Sequence, residues 1–197
     1  EPYRYASGQP VNNWDNKYIG SARVRYAIEH SMNVCAVRTL TETVGLEKGY
    51  KYLENFGFTT LVNNDPNYPG MSDIAQATAL GGITRGVYNI EMTAAYAAIA
   101  NSGIYTEPLL YTEILDHDGN VLIDNSKPIT RRVLKESTAF LLTSAMQDVI
   151  NRGTGTPARL NNMPAAGKTG TTENSTDLWL SAYTPYYTCS VWTGYDE

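Results

Sequence analysis

Two short motifs in this chain hold the residue types that acyl-transfer chemistry requires. One is Gly167-Lys168-Thr169-Gly170-Thr171-Thr172, which runs along a predicted strand. The other is Ser31-Met32-Asn33, which falls at a break between two predicted helices. Either motif alone arises readily by chance. The pair is more informative, because one motif falls between helices and the other on a strand; if both serve one reaction, they must face each other across a single cleft.

The strand motif suits a substrate that ends in a carboxylate. Lys168 offers a cation, and the hydroxyls of Thr169 and Thr171 offer hydrogen-bond donors to carboxylate oxygens. Gly170 removes a side chain where an acyl group would lie against the strand. A backbone N–H near Thr171 can stabilise a developing oxyanion, which contributes about 3–4 kcal/mol per donor in well-studied hydrolases. We therefore expect a catalytic role for Lys168 and a substrate-binding role for the three residues that follow it.

The helix-junction motif supplies polar groups for proton transfer, and we expect both of its polar residues to be catalytic. Ser31 can relay a proton between a leaving amine and a catalytic base. Asn33 can donate a hydrogen bond to a substrate amide and hold a neighbouring lysine in place. The ordinary alternative is structural, because Ser and Asn are common at helix ends and a strand lysine is commonly solvated.

Helices are predicted on both sides of the serine motif. Apolar residues recur every three to four positions through residues 24–28 and again through 34–44, which is typical of short amphipathic helices. Further helices are predicted over residues 47–55, 72–80, 90–101 and 135–151.

Three side-chain details of these helices follow from the pattern. Ser72 and Asn89 are expected to cap the helices that begin beside them, because short polar side chains accept hydrogen bonds from the first helical N–H groups. In the last helix, Phe140, Leu141 and Ala145 are expected to share one face with a serine.

Strands dominate the rest of the chain. Residues 109–116 and 121–124 flank His117-Asp118-Gly119-Asn120, a hairpin signal because Asp-Gly tolerates positive φ. Three final strands are predicted over residues 163–169, 178–184 and 187–195. Helices first and an antiparallel meander last predict an α+β fold with helices packed on a sheet. The length suits a single domain over residues 1–197.

Composition narrows the class of partner. The 197 residues carry a net charge of −5, which argues against a nucleic-acid partner. No apolar run reaches the roughly 20 residues that a bilayer crossing needs. Cys35 and Cys189 stand in no metal-binding spacing, so we expect no metal, no cofactor and two free, mostly buried thiols.

Read over its length, the chain resembles the transpeptidase domain of class A (bifunctional) penicillin-binding proteins. The S-x-N and K-T-G motifs both belong to that family's set. Residues 31–37 resemble its S-x-N-I-P-A-V segment, with Cys35 where proline is usual. Other matching segments are residues 16–20, 79–87, 94–103, the R-G-T-G-T loop at 152–156, and 191–196. We identify the chain as a C-terminal portion of such a domain.

The resemblance implies a serine D,D-transpeptidase that cross-links peptidoglycan stem peptides. An active-site serine would be acylated by a D-Ala-D-Ala end, and an amine of a neighbouring strand would resolve the acyl-enzyme. β-Lactam antibiotics would be trapped at the same step. The family's roles fall on Ser31 and Asn33 in its second motif and on Lys168, Thr169, Gly170 and Thr171 in its third. The implied location is the extracytoplasmic face of the bacterial membrane, in the cell wall space.

The sequence departs from the family at the motif that holds the nucleophile. That motif is S-x-x-K, and no serine in these 197 residues is followed by lysine three positions on. We therefore expect the nucleophile in a missing N-terminal part of the same domain, upstream of Glu1, and expect this chain alone to be inactive. The family also implies a glycosyltransferase domain and a membrane anchor upstream.

Three alternatives remain open. A P-loop nucleotide-binding protein would use Gly167-Lys168-Thr169, but the motif then needs glycine at the position of Asn162 and a helix beginning at the lysine. A serine β-lactamase-like hydrolase shares the motifs, although no glutamate-bearing segment resembles its deacylating loop. A non-catalytic member of the family is the third.

Overall fold

Short helices and two-stranded pairs lead into one three-stranded sheet at the end of the chain. The structure is a computed structural model that describes residues 1–195. The α-helices are α1 (Val24–Glu29), α2 (Asn33–Arg38), α3 (Leu46–Asn55), α4 (Asn89–Ala100) and α5 (Glu136–Arg152). The strands are β1 (Tyr3–Arg4), β2 (Pro10–Val11), β3 (Ile104–Thr106), β4 (Glu113–Leu115), β5 (Val121–Asp124), β6 (Thr130–Arg132), β7 (Ala166–Thr171), β8 (Asp177–Tyr183) and β9 (Thr188–Gly194). A π-helix (Thr39–Val44) follows α2, and 3₁₀ helices cover Gln76–Leu80, Thr156–Ala158 and Glu173–Ser175.

The last three strands form an antiparallel meander in the order β7-β8-β9, as the sequence predicts. Lys168 pairs with Ser181 across β7 and β8, which fixes the lysine motif in the strand register. Helix α5 packs against β7, and α4 packs against β8 and β9. A buried cluster of Met146, Ala166 and Tyr183 joins the helices to the sheet. The predicted α+β class is confirmed.

Helix α5 packs through one side that includes two alanines. Ala139, Ala145, Met146, Val149 and Ile150 are buried on it. Phe140 and Leu141 are 71% and 63% exposed. Helical spacing places Phe140, Leu141 and Ala145 on one side of α5, as expected, but of these three only Ala145 is buried. Small residues let the helix approach the strand closely, so the size of an apolar side chain does not indicate the packed face.

The helix caps expected at Ser72 and Asn89 are wrong. The hydroxyl of Ser72 accepts a hydrogen bond from the N–H of Ile74 at 3.1 Å, and the 3₁₀ helix begins later, after Ala75. Asn89 is already helical, and Tyr88 occupies the cap position of α4 without a side-chain hydrogen bond. Buried Asp73 accepts from Val62 and Thr84, which holds the chain in an irregular path before that 3₁₀ helix.

The predicted hairpin is confirmed as β4 and β5, which pair with each other around the Asp-Gly turn. Both thiols are free, with Cys35 half-buried and Cys189 exposed, so burial was wrongly expected for Cys189. Within residues 1–195 no helix is long and apolar enough to cross a bilayer.

Candidate active site

The predicted site residues line a single cavity of about 1040 Å³. Ser31 and Asn33 reach it from the junction of α1 and α2. Lys168, Thr169, Gly170 and Thr171 reach it from β7. Apolar side chains complete the walls, among them Ile28, Leu40, Leu53 and Tyr96. The two motifs thus meet across one cleft, although they lie far apart in the sequence.

Ser31 occupies a tight turn between two short helices. Its φ is +52°, a left-handed conformation that is uncommon for residues other than glycine. The N–H of Met32 donates to the carbonyl of Ala27 at 2.9 Å, and the Met32 side chain is buried. The turn therefore leaves the Ser31 side chain at the cavity while its neighbour anchors the junction. Strained backbone of this kind concentrates at functional sites.

Lys168 joins the two motifs directly. Its Nζ donates to the Ser31 Oγ at 2.7 Å and to the Thr169 carbonyl at 2.8 Å. Burial lowers the pKa of Lys168 to about 8, because desolvation penalises the charged form. Since Ser31 accepts from the lysine, its own proton stays free to be donated into the cavity.

Asn33 opens α2 and is fixed by a segment near the start of the chain. Its Nδ2 donates to the carbonyl of Asn12 at 2.9 Å. The side-chain oxygen of buried Asn13 accepts from the N–H of Val34 at 3.1 Å. Asn13 therefore caps α2 from 21 positions away, a role that local sequence gives no signal for.

Gly170 and Thr171 continue the edge of β7 toward the solvent. Gly170 lies opposite Trp179 on β8, and a Cβ on Gly170 would lie 3.3 Å from the Trp179 Cβ. A side chain there would crowd the tryptophan, so glycine at this position avoids a tight contact between β7 and β8. Thr171 is exposed at the end of the strand.

One site contact was missed by the sequence reasoning. The Oγ1 atoms of Thr154 and Thr169 lie 2.7 Å apart, within hydrogen-bond distance. Thr154 belongs to the R-G-T-G-T loop, to which the family resemblance assigns no role in the site. The glycines of the loop indicate close packing, but no pattern in the loop predicts that Thr154 contacts Thr169.

The strand at Lys168 is incompatible with a phosphate-binding loop. Such a loop requires a helix to begin at the lysine, so that helical N–H groups face the phosphate. In this chain β7 continues past Lys168 to Thr171. The P-loop alternative is therefore wrong.

Comparison with known proteins identifies similar sequences along the whole chain. The family described as penicillin binding protein transpeptidase domain matches residues 1–197. Penicillin-binding protein 1A of Clostridium acetobutylicum is 38% identical over 195 residues, which are 98% of this chain and 23% of that protein. Penicillin-binding protein 1A/1B of Bacillus subtilis is 31% identical over 211 residues, covering 99% of this chain and 22% of that protein. The chain thus spans about a quarter of the length of these relatives.

Solved structures show the same fold. The PonA1 protein from Mycobacterium tuberculosis in complex with penicillin V has a TM-score of 0.83 and 24% identity, covering 99% of this chain and 53% of that one. Penicillin-binding protein 1A from Haemophilus influenzae has a TM-score of 0.80 and 22% identity, covering 100% of this chain and 34% of that one.

Proposed function

The chain belongs to the transpeptidase domain family of penicillin-binding proteins, and from this premise we propose that it forms part of a D-alanyl-D-alanine transpeptidase. The enzyme would cross-link peptidoglycan stem peptides through a serine acyl-enzyme, on the outer face of the bacterial membrane. Residues 1–197 would belong to one catalytic domain. The bond from Lys168 to Ser31 carries the proposal, because it joins a half-buried amine to a serine hydroxyl across the cavity.

Three site residues receive roles in the acylation step. The Lys168 ammonium and the Thr169 hydroxyl hold the terminal carboxylate of the stem peptide. The nucleophilic serine bonds to the carbonyl carbon of the penultimate D-Ala, and its proton passes to a base. The C–N bond then breaks, and Ser31 passes a proton to the leaving D-Ala amine. In the second half of the reaction, an acceptor amine bonds to the acyl carbonyl carbon and gives up a proton, the ester bond to the serine breaks, and a proton returns to the serine oxygen.

The nucleophile lies outside these 197 residues in this proposal. No S-x-x-K motif occurs in them, and the relatives are about four times as long. We place the missing serine and its lysine in an upstream part of the same domain, within reach of Ser31. Asn33 would orient the substrate amide beside them.

β-Lactams would acylate the same serine. A β-lactam carries a carboxylate and a reactive amide, so it presents to the cavity the two groups that a D-Ala-D-Ala end presents. The carboxylate would bind Lys168 and Thr169, and the acyl group would lie against the strand at Gly170.

Covalent labelling tests the proposal. The longer protein is incubated with a fluorescent penicillin and separated on a denaturing gel. A labelled band that persists for many minutes is expected. A folded protein that takes no label would contradict an enzyme and leave the non-catalytic alternative. Label that is taken up and quickly released would indicate a β-lactamase-like hydrolase instead.

A Lys168→Ala substitution in the longer protein separates a catalytic lysine from a structural one. Acylation should slow by orders of magnitude, while the melting temperature changes little. If the acylation rate and the melting temperature fell together, the role of Lys168 would be structural.

A further inference from the structure

The R-G-T-G-T loop, residues 152–156, contacts both segments that carry the motifs. On one side the N–H of Thr154 donates to the carbonyl of Glu29 at 3.3 Å, two residues before Ser31. On the other side the Thr154 hydroxyl lies 2.7 Å from the hydroxyl of Thr169. One residue outside both motifs therefore joins them through its backbone and its side chain.

The loop is held firmly enough to position a side chain. The Arg152 Nε lies 3.1 and 3.2 Å from the two carboxylate oxygens of Glu29, whose side chain is buried. At Gly153 a Cβ would collide with the Glu29 carbonyl oxygen, so the close approach requires glycine. The N–H of Gly155 donates to the carbonyl of Val149 at 3.0 Å. Bonds on both sides of Thr154 thus fix its place beside β7.

A bound carboxylate sets the direction of the hydrogen bond between the two hydroxyls. An ionised carboxylate only accepts hydrogen bonds, so Thr169 must donate its single hydroxyl hydrogen to the ligand. The oxygen of Thr169 is then an acceptor, and Thr154 donates to it. Hydrogen bonds in such a chain polarise one another, so the first donor strengthens the second.

We propose that Thr154 is a positioning residue for acyl transfer, which holds the Thr169 hydroxyl so that its proton points at the ligand carboxylate. The inference rests on the proposed function, because it needs a carboxylate-bearing ligand at Thr169. It adds a residue from the loop to a site built by the two motifs. Thr154 itself acts only through Thr169.

The test uses the longer protein and the second-order rate constant for acylation by benzylpenicillin, measured in competition with a fluorescent penicillin. Thr154→Val keeps the shape and removes the hydroxyl, and we expect the rate constant to fall about 3- to 10-fold, as for the loss of one hydrogen bond. Thr154→Ser restores the hydroxyl and should restore the rate. The control is Thr156→Val in the same loop, whose exposed side chain should leave the rate unchanged.

A double substitution separates positioning from a general effect on the fold. Thr169→Val should slow acylation by itself, and adding Thr154→Val should slow it no further, because the chain of hydroxyls is already broken. Benzylpenicillin methyl ester, which lacks the carboxylate, should react equally with the wild-type protein and with Thr154→Val.

The outcomes distinguish the two proposals. If the folded wild-type protein takes no label, the proposed function fails. If the wild type is labelled and Thr154→Val reacts at the same rate, the positioning role is wrong. The positioning role would also be wrong if the rate losses of Thr154→Val and Thr169→Val multiplied in the double variant. It would be wrong as well if Thr154→Val slowed the reaction with the methyl ester as much as the reaction with benzylpenicillin. Should Thr154→Val not fold, Thr154→Ala replaces it with the same expectations.

Discussion

The Lys168 side chain lies between a serine hydroxyl and a backbone carbonyl. This environment favours the neutral amine more strongly than bulk water would. Its Nζ donates to Ser31 and to the Thr169 carbonyl, and burial lowers its pKa to about 8. Neutral and charged forms are therefore both accessible near physiological pH. A group with this property can hold an anion in one form and exchange a proton with Ser31 in the other.

Acylation by a penicillin should consequently depend on the protonation of Lys168. The carboxylate of the drug stays ionised at neutral and basic pH, so it needs the protonated lysine. As pH rises through about 8 the cation is lost, and the second-order rate constant for acylation should fall about tenfold for each further pH unit. The measurement is the rate of fluorescent penicillin uptake by the longer protein between pH 6.5 and about 10.

Lys168→Arg is the matched control for this pH dependence. The guanidinium stays charged over the whole range, so the variant should react slowly but at a rate that does not fall above pH 8. If the decline persists in Lys168→Arg, another group causes it.

Helix α1 and helix α5 are joined at the site by residues with large separations in sequence. Arg25 on α1 donates to Asp148 on α5 at 2.7 Å, and Glu29 at the end of α1 pairs with Arg152 at the end of α5. Gly153 follows directly and packs on the Glu29 carbonyl. The serine turn is thus held by α5 as well as by its own short helix.

Gly153→Ala should therefore move the end of α1. The added methyl meets the Glu29 carbonyl, and overpacking of this kind costs about 1–3 kcal/mol. We expect a lower melting temperature of the longer protein and slower penicillin acylation together. Thr156→Ala, at an exposed position of the same loop, should change neither. Unchanged melting in Gly153→Ala would show that the loop moves freely.

The elements that the sequence predicted well are those with local signals. The last strands and α5 were predicted within a few residues, because alternation and helical periodicity need no knowledge of distant partners. The meeting of Ser31 and Lys168 was expected only through the resemblance to a family. Motif spacing alone does not place a helix junction against a strand.

The contacts that were missed all depend on partners far along the chain. Asn13 caps α2 from another segment, and Thr154 reaches Thr169 from a loop. Phe140 is exposed although it is large and apolar, because the packed side of α5 is decided by the strand below it. Tertiary packing overrides such local patterns.

In the proposed function, residues 1–197 supply the two motifs of the site, and its nucleophile lies outside them. The cavity combines a half-buried lysine and a serine turn with apolar walls, and the proposed function gives these groups supporting roles in a reaction at another serine. Activity is therefore a property of the longer protein in this proposal.

The 197-residue chain produced alone should take no covalent label from fluorescent penicillin. It lacks an S-x-x-K serine, to which the proposed function assigns the acyl-enzyme. The gel assay is run beside the longer protein, with circular dichroism confirming that both are folded. A labelled band from the folded short chain would show that one of its own serines reacts.

The 137 positions between Ser31 and Lys168 also carry a consequence for biosynthesis. A growing polypeptide exposes the serine turn long before the lysine strand leaves the ribosome, so the pair can form only when nearly the entire segment has emerged. Pairings between residues so far apart in sequence form slowly, so we expect the cavity to assemble late in folding. A polypeptide cut short before β7 would thus leave the ribosome with its helices but without the lysine and threonine that we propose to bind a carboxylate.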